Sequence, residues 1–170
     1  MCERIRTKVA VMTKQETYDY LTARGVGYEI TEHPAVYNMT EMAEIPLPYP
    51  EADAKNLFVR DDKKRHYYMI TVQGAKRVDL KAFRKQHGLR NLSFASADDL
   101  MSILGLIPGA VTPLGLLNDQ EGKVELYLDA ALSELIGVHP NDNTATVWMK
   151  TADLIRLIEE HGNMVSVVEI

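Results

Sequence analysis

Residues 54 to 73, Ala-Lys-Asn-Leu-Phe-Val-Arg-Asp-Asp-Lys-Lys-Arg-His-Tyr-Tyr-Met-Ile-Thr-Val-Gln, constrain the fold more than any other stretch. Asn56 to Arg60 is a short apolar run. Asp61 to Arg65 is a charged connection of a length common in β-hairpins. Tyr67 to Val72 is aromatic, β-branched and nearly all apolar, the pattern of a central strand covered on both faces. Lys55 stands just ahead of the first strand. A lysine at the mouth of an apolar strand is awkward to bury, which makes it the first candidate for function.

The chain of 170 residues suffices for one domain with a full core. No apolar run approaches a membrane span, and the N-terminus lacks the apolar region and cleavage site of a secretion signal. Cys2 is the only cysteine. This excludes a disulfide framework and a thiolate metal site, and fits a reducing cytoplasm. The net charge of −5 argues against non-specific nucleic-acid binding, but the charge is uneven. From Lys55 to Arg90, eleven Lys and Arg stand against three Asp, a local +8 that leaves −13 on the rest. A basic middle on an acidic body can bind a polyanion at one face; a solvated hairpin and helix would look the same.

Residues 1 to 12 read as a loose arm or a short edge strand. Thr13-Lys14-Gln15-Glu16 is a capping box opening a helix that carries Tyr18, Leu21 and Ala23 near one face and ends at Gly25. Gly27 to Glu32 reads as a strand. A short helix follows at Thr40 to Glu44, capped by Asn38 or Thr40. Pro46-Leu47-Pro48-Tyr49-Pro50 is a stiff loop. Val78 to His87 reads as a helix with a basic outer face, closed by Gly88. Leu92 to Phe94 is a short strand, and Ser96 and Asp99 open a helix that runs to Leu104. Asn118 to Gly122 reads as a hairpin turn with Val124 to Leu128 as its return strand. Ala130 to Ile136 reads as a short helix ending at Gly137. Thr151 or Asp153 begins an amphipathic helix with Leu154, Leu157 and Ile158 inward, and Met164 to Val168 is a closing strand. Hairpins mixed with helices predict an α+β (mixed α/β) single domain with a central mixed, largely antiparallel sheet flanked by helices.

The five histidines, at 33, 66, 87, 139 and 161, show no paired metal-ligand spacing. There is no Walker loop, dinucleotide fingerprint or Gly-x-Ser-x-Gly elbow, so no cofactor is expected. Three unusual stretches remain. They are Lys55, the Gly105 to Leu117 segment, where three glycines and two prolines interrupt an apolar run, and the polar loop His139-Pro140-Asn141-Asp142. A lysine, exposed backbone N–H groups and a polar loop together can hold an anionic or ester-bearing ligand. The residues alone leave open a surface Lys55 and a loop His139 making a local hydrogen bond.

In order and spacing, these stretches resemble the YbaK/prolyl-tRNA editing family, in particular its free-standing ProX (PrdX-like) branch. Lys55-Asn56-Leu57-Phe58-Val59-Arg60-Asp61 with Tyr67-Tyr68 is similar to the lysine-bearing strand and hairpin of that branch. Gly109-Ala110-Val111-Thr112-Pro113 fits its Gly-x-x-x-Pro motif, and His139-Pro140-Asn141-Asp142-Asn143-Thr144 its histidine loop. Tyr28 to Val36 is also typical, and the resemblance runs from about residue 13 to 168. It implies hydrolysis of a mischarged aminoacyl-tRNA, alanine on tRNA(Pro) for the ProX branch and cysteine for the YbaK branch. A non-catalytic aminoacyl-tRNA or synthetase-binding module is the alternative of a different class.

By the same resemblance Lys55 orients the 3′-terminal adenosine and ester, backbone groups near Gly109 contact the aminoacyl end, and His139 lines the pocket. Thr40, Val111, Thr112, Pro113, Asn141 and Asp142 join them as substrate-binding candidates. Lys76, Arg77, Lys81, Arg84 and Lys85 form the candidate tRNA face. The family offers no side-chain nucleophile, so it implies attack by water assisted by the ribose 2′-OH. The implied partners are tRNA(Pro) carrying a non-cognate amino acid and, secondarily, prolyl-tRNA synthetase; no membrane and no DNA. Pro46 to Pro50 and Asn38-Met39-Thr40 depart most from the pattern, where a pocket lid would lie.

Overall fold

A computed structural model describes residues 12–36 and 38–170. The proposed arm at 1 to 12 thus falls almost wholly outside the described residues. Helix α1, Lys14–Ala23, begins at the expected capping box: the Thr13 hydroxyl accepts from the Glu16 N–H at 3.1 Å, and the Glu16 carboxylate accepts from the Thr13 N–H at 3.4 Å. Tyr18 and Leu21 are buried, whereas Ala23 is exposed and does not belong to that face. Strand β1, Tyr28–Glu32, and the short helix α2, Met39–Ala43, follow. Asn38 is the cap of α2, accepting from the Glu41 N–H at 2.8 Å.

The hairpin is present. Strand β2, Ala54–Asp61, pairs antiparallel with β3, Tyr67–Gln73. Lys55 lies inside β2, opposite Val72, rather than ahead of it. Tyr67 and Met69 face one apolar cluster and Tyr68, Ile70 and Val72 the other, so β3 is covered on both sides as its composition requires. Helix α3, Leu80–His87, starts two residues later than expected because the Asp79 carboxylate caps the Lys81 and Ala82 N–H groups. Strand β4, Leu92–Phe94, and helix α4, Ala97–Leu104, stand where the sequence places them.

Two expectations fail beyond that point. Val124 to Leu128 is a strand, β5 (Val124–Asp129), but not the return of a hairpin: it runs parallel to β3, and a 3₁₀ helix, Pro113–Asn118, precedes it. Ala130 to Ile136 is not a helix: a turn there leads into strand β6, Leu135–Val138, which includes Gly137. Strand β7, Ala145–Lys150, helix α5, Thr151–His161, and strand β8, Val165–Val168, complete the chain.

The α+β class holds, with the strands divided into two sheets. The larger has the order β4-β2-β3-β5-β8 and is mixed; the smaller, β1-β7-β6, is antiparallel throughout. The main core fills the space between them, with side chains from α1, α4 and α5, while α3 covers the outer face of the larger sheet through Phe83. Beside that shared core, a parallel bridge from Asp53 to Gly137 links the two sheets. Among the described residues no helix is long and apolar enough to cross a membrane.

Candidate active site at the seam of the two sheets

The seam opens into a pocket of about 210 Å³. Its floor comes from the start of β2, with Asp53, Ala54, Lys55 and Asn56. Gly109 and Val111 close one side and Gly137, Val138, His139 and Thr146 the other; Val36 and Asn38 reach it from the segment before α2. The lysine, glycine and histidine stretches, far apart in sequence, therefore meet at one cavity.

Asn56 ties these parts together. Its amide NH₂ donates to the Val111 carbonyl at 3.3 Å, and its amide oxygen accepts from the Thr71 hydroxyl at 2.7 Å. The glycine segment is thereby hung on the hairpin. Gly109 adopts φ +91°, a left-handed conformation open to glycine at no steric cost. On the opposite wall the Gly137 backbone lies under the Trp148 ring: a Cβ there would stand 2.3 Å from a ring carbon.

Lys55 is half-buried, and its Nζ donates to the Lys76 carbonyl. Burial, and then the nearby Arg77 charge, hold its pKa below the usual lysine range. His139 is also half-buried. Its Nδ1 lies 2.9 Å from the Ala145 carbonyl, which can only accept, so Nδ1 carries the proton and the neutral ring keeps its lone pair on Nε2. Burial pulls its pKa below the usual histidine range, assisted by neighbouring His33 and opposed by the Ala145 bond and Asp142. His33 sits edge-on, its ring centre 5.9 Å from that of His139. Its Nδ1–H donates to the Pro34 carbonyl, and its Nε2 accepts from the Thr146 hydroxyl at 3.0 Å.

The remaining substrate-binding candidates are placed differently. Val111 lines the pocket; Thr40 is exposed on α2 and does not. Thr112 and Pro113 are buried, and the Thr112 hydroxyl caps the 3₁₀ helix by accepting from the Leu114 N–H at 3.3 Å. Asn141 donates to the Thr17 hydroxyl at 3.0 Å, and Asp142 accepts from the Thr144 N–H at 2.8 Å. These four hold the walls rather than form them. Sequence reasoning missed Asp53, Asn56 and Thr146. A polar Asn56 inside an apolar strand was the available signal.

Of the candidate tRNA face, Arg77, Lys81 and Lys85 are exposed and Arg84 is half-exposed. Lys76 is committed elsewhere. It pairs with the buried Asp129 carboxylate at 2.8 Å and donates to the Ile170 carbonyl at 2.9 Å. Burial alone would raise the Asp129 pKa; the Lys76 ammonium and the Ala131 and Gln73 N–H groups outweigh it and hold the carboxyl below its usual range. A carboxyl lowered in this way stabilises the fold at neutral pH, and the contribution is lost as pH falls through its folded pKa. Lys76→Met should therefore destabilise the protein at pH 7 by about 3 kcal/mol, the scale of a broken buried pair. Urea unfolding should show a smaller acid-induced loss in the variant than in the parent.

A family model described as the aminoacyl-tRNA editing domain matches residues 33–157. The chain belongs to the aminoacyl-tRNA editing domain family. It is 37% identical over 159 residues to the prolyl-tRNA editing protein ProX of Acetoanaerobium sticklandii, covering 92% of this chain and 97% of that protein. It is 31% identical over 156 residues to the prolyl-tRNA synthetase associated domain-containing protein 1 of Mus musculus, covering 88% and 92%. A crystal structure described as a candidate trans-editing enzyme for prolyl tRNA synthetase superposes with a TM-score of 0.66 at 20% identity, covering 95% of this editing domain and 99% of that chain. The family residues run from just after β1 into α5, and so take in β2 to β7 and the whole pocket from Val36 to Thr146.

Proposed function

We propose that this editing domain is a trans-acting deacylase that removes alanine from mischarged tRNA(Pro) in the cytoplasm. The observation that carries the reading is the meeting of Lys55, Gly109 and His139 at one small pocket. The similarity to a prolyl-tRNA editing protein supports the tRNA and the synthetase whose errors it corrects. A synthetic site built for proline cannot strongly reject the smaller alanine, since each methylene is worth only about 1–3 kcal/mol, so a second site must remove the error.

In the reaction a water oxygen bonds to the ester carbonyl carbon and the bond to the ribose oxygen breaks. The products are alanine and tRNA with a free terminal hydroxyl. The Lys55 ammonium orients the terminal adenosine and ester and offsets the negative charge that develops there. His139, neutral at pH 7, lines the aminoacyl end. Among the described residues no serine or cysteine lines the pocket, and the Thr146 hydroxyl is 1% exposed and committed to His33. Water assisted by the substrate's 2′-OH is the attacking group that fits.

The test is deacylation of labelled Ala-tRNA(Pro), Cys-tRNA(Pro) and Pro-tRNA(Pro) by the purified protein. Alanine should leave faster than cysteine, with proline spared. Faster loss of cysteine would move the specificity to the YbaK type, and binding without any hydrolysis would make the protein a carrier or sensor. The exposed cations of α3 form the tRNA face in this reading. Charge reversal at Lys81, Arg84 and Lys85 should weaken tRNA binding at least tenfold and lower its salt dependence by about three counterions, roughly one per phosphate contact. Unchanged affinity would remove α3 from the interface.

A further inference from the structure

Asp53 has no role in the chemistry described above, yet it lines the pocket and is only 8% exposed. Its main chain is fixed at the junction of the sheets. The N–H donates to the Pro50 carbonyl at 3.3 Å, the carbonyl accepts from the Gly74 N–H at 2.8 Å, and the residue bridges to Gly137. The carboxylate, by contrast, has neither a hydrogen bond nor an ion pair among the described residues. Burial alone, with no partner contributing, pushes its pKa up to about 6.

Each of the other buried aspartates has at least one hydrogen-bonded carboxylate oxygen, although Asp61 Oδ2 has no partner. Asp61 accepts from the Arg65 N–H, Asp119 from the Val124 N–H and the Asn163 amide, and Asp129 from Lys76 and two backbone N–H groups. The nearest lysine in sequence offers no help, because the Lys55 Nζ is turned to the Lys76 carbonyl. A buried carboxylate without a counter-ion is costly. Among the described residues Asp53 is the one buried aspartate whose carboxylate has neither a hydrogen bond nor an ion pair, and it is also the one in the pocket wall.

We propose that Asp53 is the subsite for the free α-ammonium group of the substrate, whose three N–H donors supply the cation and hydrogen bonds that the carboxylate lacks. The inference rests on the reading of the protein as a hydrolase of aminoacyl esters, and adds what the site reads in them. Every aminoacyl-tRNA carries this ammonium, whatever its side chain. An N-acylated or peptidyl ester does not. Asp53 thus distinguishes an aminoacyl end from a peptidyl one, while the rest of the pocket judges the side chain.

The experiment compares two non-hydrolysable probes, 3′-deoxy-3′-(L-alanylamino)adenosine and its N-acetyl derivative, binding to the full chain and to Asp53→Asn by calorimetry. The parent should prefer the free amine by about 10- to 100-fold, the scale of a hydrogen bond to a charged group. Asp53→Asn should bind both probes with the parent's affinity for the acetylated one. Equal loss for both probes, or no preference in the parent, overturns the inference. A thermal melt of Asp53→Asn should show a midpoint no lower than the parent's, since a buried charge has been removed; Asp53→Ser serves if the amide misfolds. Parallel deacylation of Ala-tRNA(Pro) and N-acetyl-Ala-tRNA(Pro) separates the two readings. Equal rates on both leave the deacylase standing and sink the subsite. No turnover of either, with the Asp53-dependent preference intact, does the reverse.

Discussion

Lys55→Ala is expected to lower the rate of Ala-tRNA(Pro) deacylation by about 10²- to 10³-fold, the scale of removing one preorganised electrostatic donor. The ammonium is half-buried, partly stripped of water and parked on the Lys76 carbonyl. Burial and Arg77 already disfavour its charge, so an anionic ligand gains more from it than from a solvated lysine. Single-turnover kinetics should place the loss in the chemical step, with tRNA affinity changed little, since the proposed tRNA face lies on α3 and not at Lys55. Lys55→Arg should not restore the rate: a planar fork cannot replace a compact ammonium at the same carbonyl. A Lys55→Ala protein with the parent's rate would place the reaction elsewhere on the molecule.

Gly137→Val should cost about 3 kcal/mol or more and lower the melting midpoint by about 10 °C. The first added carbon meets three atoms of the Trp148 ring, at 2.3, 2.6 and 2.9 Å. That ring cannot easily retreat. It is 2% exposed, its N–H donates to the Thr31 hydroxyl at 2.9 Å, and Tyr49 stands edge-on against it with ring centres 5.5 Å apart. Trp148 is the only tryptophan, so its emission reports the displacement directly. Trp148→Phe should recover part of the stability in the Gly137→Val background, because a smaller ring leaves room for the new side chain. Catalysis should fall further than stability alone predicts, since Gly137 both lines the pocket and bridges to Asp53.

Gly137 also shows where local reading stops. Ahead of it, Ala130 to Ile136 looks like a short helix, and a glycine after a helix reads as its end. The reason for the glycine is Trp148 on the neighbouring strand, which no local pattern announces. Similarly, Asn118 to Gly122 has hairpin composition, but Asp119 is buried and binds the Val124 N–H and the Asn163 amide. Parallel partners at β3 and β8 then take the strand. The β2–β3 hairpin was legible because its pairing is local and its second strand is a continuous aromatic and β-branched apolar run. Capping signals at Thr13, Ser96 and Gly88 were legible for the same reason.

That Lys55, Gly109 and His139 meet at one pocket was legible through the order of three motifs. Thr112, Asn141 and Asp142 belong to the same motifs but serve as local caps and ties. Polar loop residues bind ligands or their own backbone with equal facility, and only the fold separates the two. Asp53 carried a signal that went unread, an acid two positions before the candidate lysine that shares its pocket.

The division into two sheets also orders the birth of the molecule. Thr31 and Trp148, joined by a hydrogen bond in the smaller sheet, lie 117 positions apart. At ribosomal speeds roughly ten seconds separate their synthesis, whereas a hairpin such as β2–β3 closes in microseconds. Lys55 and the basic helix α3 thus emerge well before Gly137, His139 and β7 exist. A nascent chain can meet tRNA before it has a chamber in which to act on it. Any transcript truncated ahead of β7 yields a protein that carries the lysine but never the enzyme.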